Sequence, residues 1–128
     1  MNDSKNPLSP HLQIYRWQIS SLLSIVHRIT GILNLLGLIF ISAWIFSAGL
    51  GENLYECFSF LLKSFFGKFI LIGFTWSMSF HLLTGIRHFF LDLGYGYEIK
   101  TANFSGITVV ISSLVLTVIL WLSGRGLI

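Results

Sequence analysis

The chain has 128 residues, 54% of them hydrophobic and 10% charged, with a mean hydropathy of +0.79. A soluble domain carries roughly 25% charged residues, so this composition excludes a water-exposed globule and points to an integral membrane protein. The net charge of +3 comes from Lys and Arg scattered singly, which excludes a basic run for nucleic acid. A single cysteine, Cys57, excludes an internal disulfide and any Cys-rich metal or iron–sulfur motif.

Residues 1–21 read as an arm lying along the membrane interface. Pro7 and Pro10 oppose a regular helix before His11. Tyr15, Arg16 and Trp17 are residue types that settle at a membrane–water boundary. The polar start has neither a secretory leader pattern nor an Arg/Ser-rich transit peptide. A bacterial inner membrane is therefore expected, or a mitochondrial inner membrane with the chain made inside the organelle.

No charged side chain occurs from residue 29 to 51, and a first transmembrane helix is expected over about 22–49. The stretch G-L-G-E-N-L-Y-E-C that follows reads as a loop. A second helix is expected over about 61–91; from residue 69 to 86 its only ionisable group besides the flanks is His81. After the short connection G-Y-G-Y-E-I-K-T-A-N, a third helix is expected over about 104–123. Its hydroxyls, such as Ser105, Thr108, Ser112 and Thr117, suit helix packing. The fold class is thus all-α, one membrane-anchor domain of three transmembrane helices with an N-terminal interfacial arm. Lys5, Arg16, Arg28, Arg87 and Lys100 fall on the N-terminal face, against Lys63, Lys68 and Arg125 on the other. This excess places the N-terminus on the cytoplasmic or matrix side.

Intramembrane ionisable residues mark function by default, so His81 is the focus. Ser77, His81, Gly85, His88 and Asp92 form one stripe of the second helix. His81 and His88 are separated by about 10.5 Å at 1.5 Å per residue, so His81 sits deep and His88 near the surface. Gly85 leaves room for a large flat ligand. Haem fits: iron on His81, propionates at the polar edge with Arg28 and His88. An imidazole bonded to a neighbouring helix is the competing reading. A mononuclear metal site is disfavoured, because no second His or carboxylate shares the depth of His81. If the haem has two axial histidines, the other must come from a partner chain. On the first helix, Ser24, His27, Arg28 and Gly31 share a face. That donor-rich patch could serve a quinone carbonyl, a haem propionate or a lipid phosphate; Arg28 alone could equally be an interfacial anchor.

Three segments carry a family resemblance. They are P-L-S-P-H-L-Q-I-Y at 7–15, the set Ser24, His27, Arg28, Thr30 and Gly31, and the set His81, Gly85, Ile86, Arg87, His88, Asp92, Gly94 and Tyr95. Together they resemble the cytochrome b subunits of succinate dehydrogenase, the larger membrane anchor of respiratory complex II. Asn6 stands where that family often has Arg. The resemblance implies that His81 is an axial ligand of one haem b, shared with a smaller anchor subunit that supplies the second ligand. It implies that Ser24 and Arg28 line the ubiquinone site, and that His27, Arg28 and His88 surround the propionates. It further implies iron–sulfur and flavoprotein subunits as partners, with the dicarboxylate chemistry on the flavoprotein. A quinol:fumarate reductase anchor has the same architecture. A cofactor-free structural anchor and a small transporter subunit are rivals from other classes, and the third helix offers no ionisable group for a transport path.

Overall fold

The computed structural model describes residue 14 and residues 16–125. Most of the expected interfacial arm, including the 7–15 motif, lies outside the described residues. Four helices follow in order: α1, Ile19–Leu50; α2, Glu52–Lys63; α3, Phe65–Asp92; and α4, Ile99–Arg125. α1, α3 and most of α4 are each long and apolar enough to cross a membrane. At 1.5 Å per residue, the 32 residues of α1 extend about 48 Å, well beyond a hydrocarbon core of about 30 Å.

The stretch read as a loop after the first span is instead helical from Glu52. Gly51, at φ 140°, turns the chain between α1 and α2. Glu52 in the first turn of α2 and Lys63 in the last complement the helix dipole. No residue of α2 is buried; it leans on α1 through Phe40–Phe58 at 5.7 Å and stacked Trp44–Tyr55 at 6.2 Å between ring centroids. Ser64 ends α2 and starts α3. It takes extended backbone angles, its Oγ donates to the Leu61 carbonyl at 2.6 Å, and the same Oγ accepts from Gly67 N–H at 3.0 Å. One hydroxyl thus caps both helices.

α3 is the central span and packs against both α1 and α4. The apolar core holds one buried side chain from each span, Leu23, Phe80 and Val109. Apart from Arg87, the other buried polar side chains are small hydroxyls: Thr30, Ser47, Ser77, Ser79, Thr84, Ser113 and Thr117. Small hydroxyl residues let membrane helices approach closely and hydrogen-bond one another. Trp76 Nε1 donates to Ser113 Oγ at 3.2 Å and Trp121 Nε1 to Thr75 Oγ1 at 3.3 Å, both between α3 and α4. The long aliphatic and aromatic side chains face outward instead, from Ile32 and Leu36 on α1 to Ile119 and Leu122 on α4. That inverted distribution suits lipid and neighbouring subunits, not water.

Gly67 sits where α3 folds back under α2, and a Cβ there would overlap the Leu61 carbonyl. Because the obstacle is backbone, it cannot swing aside. Gly67→Ala is expected to destabilise the α2–α3 corner by about 1–3 kcal/mol. Gly73→Ala, where nothing lies within 4 Å of the added Cβ, should be neutral or mildly stabilising. Thermal unfolding of the two variants in lipid nanodiscs separates them.

Candidate functional site

The site grows from the face that α1 turns toward α3. His27, Thr30, Gly31 and Asn34 follow i, i+3, i+4, i+7 and form one stripe. Each meets a residue of the α3 stripe. The His27 and His81 rings stack at 4.0 Å with 6° between planes. His88 lies tilted against His27, with centroids 5.3 Å apart. Ser77 Oγ donates to Asn34 Oδ1 at 2.8 Å and lies 3.3 Å from the Thr30 carbonyl. The three histidines therefore form one contiguous cluster.

His81 is held by a definite bonding pattern. Its Nδ1 is 3.1 Å from the His27 carbonyl and 3.2 Å from Thr30 Oγ1. The carbonyl can only accept. Thr30 Oγ1 already gives its hydrogen to that same carbonyl at 2.9 Å, so toward His81 it too accepts. Nδ1 must carry the proton, and in the neutral ring Nε2 is left with its lone pair. Nδ1 anchored to a carbonyl while Nε2 stays basic is the arrangement of a metal-ligating histidine. His81 Nε2 has no partner among the described residues and, unlike His27 Nε2, is not sealed from its surroundings.

His27 Nε2 is buried with no hydrogen-bond partner, as is Thr84 Oγ1 one turn beyond His81 on α3. A buried polar atom without a partner is costly. The close approach of the two helices depends on Gly31, where a Cβ would stand 3.1 Å from His81 Cε1. Gly85, read as the space-making residue, faces the His27 ring, with 3.9 Å between its virtual Cβ and His27 Nε2. The tighter constraint therefore falls on Gly31.

Ser24 and Arg28 lie at the margin of the cluster. Arg28, one residue past His27, is rotated about 100° from the α3-facing stripe and is exposed. Ser24 is half-buried. Neither makes a hydrogen bond to another described residue. Asp92, at the end of the stripe, is exposed. Sequence reasoning passed over Asn34, although an amide in an apolar span is itself a signal. It quoted Thr30 without giving it a role. It also left Arg87 among the surface cations, whereas the side chain is buried against α4.

This geometry defines a class: a multi-pass helical membrane subunit with a recessed, lone-pair-bearing imidazole between its first two spans. The chain belongs to the succinate dehydrogenase/fumarate reductase transmembrane subunit family, whose pattern matches residues 2–120. It is 39% identical to the succinate dehydrogenase cytochrome b556 subunit of Paracoccus denitrificans, over 93% of this chain and 92% of that protein. It is 41% identical to the b556 subunit of Rickettsia prowazekii, over 92% of each. With the mitochondrial cytochrome b560 subunit of Mus musculus the identity is 36%, over 84% of this chain and 65% of the other. The resemblance read from the three motifs is borne out, as is the all-α, three-span class. The chain is an integral membrane subunit of that enzyme family.

The Ser77–Asn34 bond couples the two site helices. In a double-mutant cycle of Ser77→Ala with Asn34→Leu, a coupling of about 0.6 kcal/mol is expected, the usual worth of an interhelical bond in a membrane. A coupling of zero in thermal unfolding would show that the bond carries no load.

Proposed function

We propose that this chain is the membrane-anchoring cytochrome b subunit of a succinate:quinone oxidoreductase. It holds one haem b through His81 and contributes Ser24 and Arg28 to a ubiquinone-reduction site. The observation that carries the reading is the fixed state of His81: Nδ1–H committed to α1, Nε2 free to ligate. The surroundings fit the group. His27 Nε2 is a buried polar atom in need of a partner, and Gly31 and Gly85 remove side-chain bulk beside the two rings. Haem, when bound, supplies a one-electron redox centre between iron–sulfur clusters and quinone.

Each residue has a physical task. His81 fixes the position of the iron from α3. His27 and His88 flank it toward the N-terminal side, where with Arg28 they offer donors to the propionates. Arg28, exposed and without a carboxylate partner among the described residues, stabilises negative charge developing on a quinone oxygen, and Ser24 donates a hydrogen bond to it. His27 lies face to face with His81. A ring stacked on the face of His81 does not direct its nitrogens to the group that His81 Nε2 would hold, so His27 would not supply a second ligand. That supports a second axial histidine from a smaller anchor subunit. Iron–sulfur and flavoprotein subunits complete the complex. The N-terminus faces the cytoplasm or matrix, as the Lys and Arg distribution favours. The relatives' names favour succinate oxidation over fumarate reduction.

His81→Ala is expected to abolish the b-type band in a reduced-minus-oxidised spectrum of the purified complex; a band that persists unchanged removes the ligand assignment. Ser24→Ala and Arg28→Ala should each lower quinone reduction by about 10-fold or more, while succinate oxidation with an artificial acceptor continues. Equal loss of both activities, with the haem band gone, would mean failed assembly.

A further inference from the structure

The buried guanidinium of Arg87 is not part of the histidine cluster. It points the other way, toward α4. Its Nε donates to Ser105 Oγ at 3.0 Å, and its Nη2 to the Ala102 carbonyl at 3.1 Å and to Ser20 Oγ at 3.3 Å. The residue is 7% exposed. All three acceptors are neutral, and no carboxylate among the described residues pairs with it. The nearest acids in sequence, Asp92 and Glu98, are exposed. A cation held in an apolar span without a counter-charge is expensive. Nη1 has no partner among the described residues.

Arg87 forms part of the wall of a cleft of about 550 Å³ between α3 and α4, within the size range of ligand sites. The cleft is graded. At its outer end stand Arg87, Tyr95 and Thr101; its deeper end is closed by Leu83, Val109 and Ser112. Arg87 precedes the end of α3 by five residues, about 7.5 Å of helix, so it stands near one end of a candidate membrane span. Thr101 to Ser112 covers about 16 Å of α4, along which an acyl chain can lie. The first turn of α4 contributes Thr101 to the wall and brings the positive end of its dipole to the same mouth, where the Ala102 N–H is already bonded to the Glu98 carbonyl at 2.8 Å.

We propose that this cleft binds one anionic phospholipid. Its phosphate accepts hydrogen bonds from Arg87 and the α4 N-terminal turn, and one acyl chain fills the groove toward Ser112. The site lies on the opposite side of α3 from the histidines and does not depend on the haem or quinone reading.

The test is native mass spectrometry of the purified complex, delipidated and then offered phosphatidylglycerol, phosphatidylcholine or inorganic phosphate. Wild-type complex should retain one phosphatidylglycerol that phosphatidylcholine at equal concentration does not replace. Arg87→Gln and Ser112→Trp should each lose that lipid. Ser112→Trp blocks the groove without touching the Arg87 bonds, so it stands if Arg87→Gln fails to assemble. Retention of the lipid by the Ser112→Trp complex would overturn the proposal. So would equal retention of the two lipids, or displacement of the lipid by inorganic phosphate alone.

Discussion

The structure depends on an imidazole in a membrane span finding partners for its N–H. His81 finds them on the neighbouring helix, at the His27 carbonyl and Thr30 Oγ1. That choice has consequences in both directions. It draws α1 and α3 close enough that a Cβ on residue 31 would crowd the His81 ring at 3.1 Å. It also fixes the tautomer, so that the opposite nitrogen is basic. One contact thus ties helix spacing and the orientation of the ring together.

Around this point the molecule is organised by polarity in an inverted sense. Its buried positions are mostly hydroxyls, and its large apolar side chains face out. In a membrane the apolar effect does not drive helices together, because lipid tails are as apolar as leucine. Close packing of small residues and interhelical hydrogen bonds do that work. α3 carries most of these ties, to Asn34 and Thr30 on one side and to Ser113 and Ser105 on the other. Arg87 extends the same logic to three helices, since it bonds both Ser20 on α1 and Ser105 on α4.

The two faces of α3 therefore serve different ends. The α1 face gathers His27, His81 and His88 into one cluster. The α4 face gathers a cation with no carboxylate partner among the described residues and a cleft beside it. A three-helix layer with so little apolar interior is a subunit built to be completed by neighbours and lipid, which accords with its family.

Much was legible without coordinates. Uncharged runs at 29–51, 69–86 and 101–124 are enough for three spans, because a charge in hydrocarbon is too costly to hide. His81 stood out for the same reason, and helical period put Ser77, His81, Gly85 and His88 on one stripe. The helix Glu52–Lys63 was not legible, because glycines and acids at 49–56 read equally as a loop and as a capped amphipathic start. Nor were the roles of Gly31, Asn34 and Arg87, or the marginal position of Arg28. Sequence alone determined which segments lie in the membrane and which residue there is chemically out of place, since both follow from transfer energies of single residues. Only the tertiary structure decided which nitrogen of His81 is free and which side of α3 each cation serves. Those depend on the rotation and spacing of one helix against another, and no local pattern encodes them.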